Sequence, residues 1–146
     1  MVTLREITRE NYEECLRLQV TDAQKSFVAS NVYSLAQAWV FSRTAYPFAI
    51  YADEDMVGFV MMGYYAEKDL YDIWRLMIDQ KHQHRGYGRA ALHLAIAHLR
   101  QTFGAQKIYL SFEPSNSVAE HLYQSVGFER TGEVDDGEII MCLSAQ

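Results

Sequence analysis

The stretch from Tyr71 to Phe103 constrains the chain most. It runs from a segment of strand character, Tyr71–Ile78 (YDIWRLMI), through a basic loop with two glycines, Asp79–Arg89 (DQKHQHRGYGR), into a long amphipathic helix over about Gly88–Phe103. A strand that feeds a helix through a short loop commits the chain to a layered arrangement, because the helix must fold back and bury its apolar stripe on a sheet. Leu92, Ala95, Ile96, Leu99 and Phe103 recur at helical spacing and form that stripe. Gly104 stands where a C-terminal glycine belongs. Within Gln83-His84-Arg85-Gly86-Tyr87-Gly88, the glycines permit tight turning and close approach of backbone to a ligand. The following helix adds N-terminal amides and a favourable dipole, which suits a pyrophosphate. Lys81, His84, Arg85 and Arg89 add positive charge. The bare pattern fits either an anion site or a glycine turn with a solvated basic face. It is neither a Walker loop nor the three-glycine dinucleotide fingerprint.

The remaining elements follow from periodicity and punctuation. Residues 2–7 (VTLREI) predict an edge strand, and Thr8 offers an N-cap for a helix over about Glu10–Leu18, with Tyr12, Cys15, Leu16 and Gln19 on one face. Val20–Ser34 has weak periodicity and predicts a loop or broken helix. A second helix is expected over about Ser34–Ala45, with Leu35, Ala38, Trp39 and Ser42 on one face and Pro47 marking its end. Phe48–Ala52, Met56–Tyr65 and Tyr71–Ile78 read as a meander, turning at Asp53-Glu54-Asp55 and at residues 66–70. Lys107–Phe112 predicts a strand. Ser117-Val118-Ala119-Glu120 fits a capping box that opens a helix ending at Gly127. Phe128–Val134 and Glu138–Leu143 predict a closing hairpin through Asp135-Asp136-Gly137. The order gives an α/β (α+β) class with a mixed sheet, and no linker divides residues 1–146, so one domain is expected.

Of the 146 residues, 49% are apolar, enough for a two-layer core. The net charge of −6 argues against nucleic acid as a main partner, since phosphate contacts need clustered Lys and Arg. It allows a cationic substrate only weakly. No apolar run reaches the ~18 residues that cross a bilayer, so no membrane association is expected. The charged start, Met1-Val2-Thr3-Leu4-Arg5-Glu6, lacks a signal-peptide core. Cys15 and Cys142 have no metal or redox spacing and read as buried thiols of a reducing compartment, which predicts a cytoplasmic protein. The five histidines show no metal-ligand spacing, and no metal site is expected; His93 and His98 fall on the polar side of the long helix.

Two motifs carry a resemblance. Leu76–Arg89, LMIDQKHQHRGYGR, resembles the acetyl-CoA motif of the GNAT superfamily of N-acetyltransferases, Gln/Arg-x-x-Gly-x-Gly/Ala. Asn116–Phe128, NSVAEHLYQSVGF, is similar to that family's Asn-x-x-Ala-x-x-Leu-Tyr-x-x-x-Gly-Phe, in the right order and at the right spacing. The resemblance covers the whole chain. It implies a GNAT fold, a mixed and mostly antiparallel sheet of about seven strands flanked by about four helices, with acetyl-CoA as cosubstrate. By the same resemblance, Leu76, Met77 and Ile78 pair with the pantetheine arm. His84, Arg85, Gly86, Tyr87, Gly88 and Arg89 form the pyrophosphate loop. Asn116 contacts the cofactor, and Tyr123 lies near the thioester sulfur. Members of the superfamily are often dimers, so a homodimer is expected on that ground.

The chemistry fits a tyrosine there. An amine attacks the thioester carbonyl in a ternary complex and coenzyme A leaves as a thiolate, which a phenol of pKa near ~10 can hydrogen-bond or protonate. The ammonium must first lose a proton. Related enzymes often carry a Glu four residues before the position of Ile78, where this chain has Trp74. Asp72, on the same face by strand alternation, and Glu113, in the exit of the next strand, remain as candidate bases beside a water chain with no dedicated base. The cysteines fall in neither motif, which disfavours an acyl-cysteine route.

The segment Asp22–Ala38 resembles bacterial spermine/spermidine acetyltransferases, which implies a polyamine acceptor. Such a site needs carboxylates along a groove and aromatic faces for methylenes and cations. Glu13, Glu14, Asp22, Glu54 and Asp72 are the candidate carboxylates, and Phe27, Tyr33, Trp39, Tyr64, Tyr65 and Trp74 the candidate aromatics. The alternatives are another small amine, a protein N-terminus, or a non-catalytic acyl-CoA-binding module that has kept the fold.

Overall fold

The computed structural model describes residues 1–145. The elements are Val2–Glu6 (β1), Tyr12–Arg17 (α1), Asn31–Val40 (α2), Ala45–Ala52 (β2), Asp55–Tyr65 (β3), Leu70–Ile78 (β4), Tyr87–Phe103 (α3), Lys107–Phe112 (β5), Ser117–Val126 (α4), Glu129–Asp135 (β6) and Glu138–Ser144 (β7). The strands form one sheet in the order β1-β2-β3-β4-β5-β7-β6. Every pairing is antiparallel except β4 with β5. This is the expected mixed sheet of seven strands with four helices among the described residues.

Both faces of the sheet are covered, which explains why β3 is apolar almost throughout. One face meets α3 and α4 through Val60, Met62, Ala91, Leu92, Ala95, Ile96 and Leu99. The other meets α1 and α2 through Phe59, Met61, Cys15 and Ala38. Asn31, buried at the start of α2, donates from Nδ2 to the Cys15 carbonyl at 2.9 Å and ties the two short helices together.

Several local expectations change. Helix α2 begins at Asn31, capped by Ser30 accepting from Tyr33 N–H. Its inward stripe is therefore Asn31, Ser34 and Ala38, small side chains that let the helix lie close to the sheet, and Trp39 turns outward, 82% exposed. Pro47 sits inside β2, opposite Met61. β1 pairs with β2 only from Phe48 onward, so the missing proline N–H costs no ladder bond on that side. Helix α1 opens at Tyr12 rather than beside Thr8, whose carbonyl accepts from Tyr12 N–H at 3.0 Å. Asn116 caps α4 by accepting from Ala119 N–H, while Glu120 forms no capping box and pairs with Arg130 at 2.6 Å. Phe103 lies at the helix edge, stacked on Tyr46 and Tyr71, and is partly exposed. His98 packs edge-on against Phe48, and burial lowers its pKa. Cys15 is buried, with its thiol pushed up to about 11 by burial, whereas Cys142 is half-buried.

Candidate active site

The site originates in a parting of strands. β4 and β5 pair only at Tyr71 with Ile108 and at Asp72 with Tyr109. Beyond those residues they diverge, leaving one side of residues 73–78 without a strand partner. Unpaired backbone groups along that edge can accept an extended ligand as another strand would. The gap opens a cavity of about 930 Å³, with Ile73–Ile78 on one lip and Ser111 and Phe112 on the other.

A bulge shapes the lip. Arg75 pairs with Met61 and Ile73 with Met62, so Trp74 has no partner on β3. The extra residue puts Trp74 and Arg75 on the face toward α2, where Arg75 Nη2 donates to Gln37 Oε1 at 3.0 Å. The Trp74 indole packs at 6.2 Å from Phe41 and 5.6 Å from Tyr65, ring centre to ring centre, and lines the cavity.

At the far end of β4 the chain enters the glycine loop. Asp79 is buried and pins it: Oδ1 accepts from Gln19 N–H at 2.8 Å and Oδ2 from Lys81 N–H at 3.1 Å. Gln83 Nε2 donates to the Ile78 carbonyl and to Gln24 Oε1, both at 2.9 Å. The segment before α2 is thereby held against the loop, and Gln24–Ala29 forms a third wall. Gly86 has φ +82° and sits just before α3; a Cβ there would meet nothing within 4 Å, so the glycine answers to backbone conformation rather than space. The first amides of α3 have no partner within the helix and face the loop end of the cavity, where His82, His84 and Arg89 also lie. This end is built for an anion.

The other end carries one lining carboxylate, Glu138, with Arg75 also in the lining. Tyr123 of α4 lines the cavity between Phe112 and Phe128, with centroid distances of 6.3 and 6.2 Å. Burial pushes its phenol up to about 12, with the charges of Glu138 and Asp72 adding to the effect. Asp72 is raised to about 7, first by burial and then by Glu138, while Arg75 opposes the shift. Glu138 opens β7 and lines the cavity, accepting from Ser111 Oγ at 3.1 Å.

Of the residues singled out from sequence, Leu76, Met77, Ile78, His84, Gly86, Tyr87, Gly88, Arg89, Asn116 and Tyr123 all line this cavity. Arg85 is exposed beside it. Asp72 stands behind the wall, in charge reach of Tyr123. Glu113 is exposed in the turn after β5 and does not join the lining. Among the polyamine candidates, Phe27 and Trp74 line the cavity. Asp22 pairs instead with Lys25 at 2.9 Å, Glu54 with Arg5 at 3.3 Å, and Tyr64 with Asp69 at 2.9 Å. Glu138, Asp79 and Gln24 carried no signal of their own in the sequence, whereas Gln83 opens the glycine-loop motif. Only the parallel β4–β5 pairing and the return of β7 beside β5 bring Glu138 to the site.

Known proteins match the chain in family and in fold. The model of the acetyltransferase (GNAT) family matches residues 4–128. A spermine/spermidine N(1)-acetyltransferase of Bacillus subtilis strain 168 is 33% identical over 149 aligned positions, which span 96% of each chain. Aminoglycoside acetyltransferase AAC(6')-Ib, solved in complex with coenzyme A, shares the fold at a TM-score of 0.81 and 16% identity, over 99% of this chain and 95% of that one. The spermidine N-acetyltransferase of Vibrio cholerae, solved with CoA and spermine, does so at 0.76 and 20% identity, over 98% and 95%.

Proposed function

The chain belongs to the acetyltransferase (GNAT) family and is an acetyl-CoA-dependent N-acetyltransferase, and on that premise we propose that its acceptor is a polyamine such as spermine or spermidine, attacked directly in a ternary complex. The observation that carries a cationic acceptor is the polarity of the cavity, cationic and amide-lined at the glycine loop and carboxylate-bearing beside Tyr123. A dianionic pyrophosphate and a cationic amine would enter such a cavity from opposite ends. The named relative from Bacillus subtilis supports the polyamine choice.

The residues fit the cosubstrate. The open edge of Leu76–Ile78 suits the amide-bearing pantetheine arm, and the loop 84–89 with the start of α3 suits the pyrophosphate. Asn116 spends Oδ1 on capping α4, which leaves its amide hydrogens for a ligand. Acetyl-CoA supplies an acyl group already activated as a thioester.

In the transfer, a C–N bond forms and the C–S bond breaks. Asp72, poised near neutrality but set behind the cavity wall, takes up through water the proton that the acceptor ammonium must lose. Tyr123, held protonated by its raised pKa, donates a hydrogen bond to sulfur as negative charge develops there. Phe112 and Phe128 pack on either side of that ring and fix its position at the cavity wall.

Thiol release measured with acetyl-CoA and a panel of spermine, spermidine, putrescine, lysine, an aminoglycoside and a peptide with a free N-terminus tests the reading. Turnover of spermine or spermidine well above the rest is expected. Preference for another amine would overturn the polyamine assignment and leave the enzyme class standing.

A further inference from the structure

We infer that Glu138 is the residue that anchors the acceptor's ammonium group at the reacting end of the cavity. Among the described residues lining the cavity it is the one carboxylate; the charged side chains around it are otherwise basic or lie at the glycine loop. Asp72, the deeper carboxylate, is not part of the lining. A cation inside the cavity therefore has Glu138 as its one lining carboxylate partner, beside the basic Lys25, Arg75 and Arg89.

The side chain is prepared for that contact. It is half-buried, and Ser111 Oγ holds Oε1 at 3.1 Å, which orients the carboxylate and leaves Oε2 free to accept. No Lys or Arg among the described residues pairs with it. The other half-buried glutamate near the site, Glu120, is bound by two nitrogens of Arg130 at 2.6 and 2.8 Å. With no counter-charge of its own among the described residues, Glu138 remains available to pair with a bound cation. The Glu138 charge also reaches both Tyr123 and Asp72, so the group sits beside the atoms that handle protons.

Its placement is rigid. Asp136 and Gly137 both take positive φ, +49° and +80°, and make the tight turn that starts β7 at Glu138. The next residues pair in register with β5, Ile139 with Phe112 and Ile140 with Ser111. The backbone ladder already joins these strands, so the Ser111–Glu138 bond is not needed to staple them.

The inference rests on the chain acting on an amine, and not on that amine being a polyamine. The test is steady-state kinetics of the intact protein with whichever amine the panel shows to be preferred, comparing wild type, Glu138→Gln and Ser111→Ala. Loss of a charge-assisted contact should raise the amine KM on the order of 10- to 100-fold in Glu138→Gln, with the acetyl-CoA KM within about twofold of wild type. Ser111→Ala, which frees the carboxylate to wander, should raise the amine KM several-fold, roughly, without touching the acetyl-CoA KM. An unchanged amine KM in Glu138→Gln would overturn the inference. So would a parallel rise of both KM values with a lowered Tm, the signature of a structural staple. Should Glu138→Gln fail to fold, the amine KM of Ser111→Ala decides alone. A panel that prefers a non-polyamine would sink the polyamine reading, whereas the KM split decides the role of Glu138.

Discussion

The Trp74 indole lies where the side chain of Gly63 would be: a Cβ built on Gly63 collides with Cε2, Cζ2 and Nε1 of Trp74. Gly63 pairs with Asp72 across the β3–β4 ladder, beside the bulge that leaves Trp74 unpaired. The glycine is thus what lets the bulged residue fold back over β3, and the bulge in turn sets which way Asp72, Trp74 and Arg75 point. Gly63→Ala should lower stability by about 1–3 kcal/mol, the range for overpacking a buried site. A denaturant midpoint followed by circular dichroism checks this. An unchanged midpoint would mean that the indole has room to move and does not depend on Gly63.

Tyr123→Phe keeps the ring between Phe112 and Phe128 and removes only the hydroxyl. The expected result is a fall in kcat of roughly 10²-fold with little change in the acetyl-CoA KM, in the range of acid–base contributions. Unaltered kcat would take Tyr123 out of the mechanism.

Asp72 gives the reaction a pH dependence. With its carboxyl raised to about 7 by burial and by Glu138, kcat should climb through neutrality as the base deprotonates. Asp72→Asn should abolish that limb, and Glu138→Gln, by removing a repelling charge, should move it to lower pH. A limb that stays in place in Asp72→Asn would assign the base elsewhere.

The same carboxyl affects folding. Between about pH 4 and 7 the folded chain holds a proton on Asp72 that the unfolded chain has lost. Its contribution therefore favours folding at low pH and is lost as pH rises through 7. Asp72→Asn should be more stable than wild type at pH 8 by roughly 1–3 kcal/mol, the gap closing toward pH 4. Thermal melts of the two proteins across that range measure it, and equal Tm values at pH 8 would contradict the burial of the charge.

Gly86 takes φ +82°, and its replacement is strained whatever the space around it. Gly86→Asp adds a negative charge at the mouth of the anion-binding end. Calorimetry should show acetyl-CoA binding lost, while circular dichroism stays close to wild type because the loop is exposed. Tight binding by that variant would contradict the loop assignment.

Much of the fold was legible along the chain because strong local signals agreed. Apolar runs bounded by turns marked β3 to β5, and glycines closed α3 and α4 at Gly104 and Gly127 in left-handed conformations, as placed. The errors lay where small or ambiguous residues left the register to tertiary contact. Helical spacing from Ser34 puts Trp39 inward, but the helix begins at Asn31 and buries Ser34 and Ala38 instead. Pro47 looked like a helix stop, but the edge of β2 beyond the reach of β1 accepts it.

By itself the sequence determined the order of elements, the glycine loop before α3, and Tyr123 within its helix motif, because each depends on residues close together in the chain. Only the tertiary structure decided which carboxylates meet that tyrosine. Asp72, Ser111 and Glu138 stand on three strands, and their meeting depends on where β4 and β5 separate and on β7 returning beside β5. Glu113 sits in a turn close in sequence to Asn116, yet it faces outward. Glu138 is far from every motif and faces the cavity. The pairings of β4 with β5 and of β5 with β7 join strands across helices, and unlike the hairpins no local turn encodes them; the packing of both sheet faces decides them.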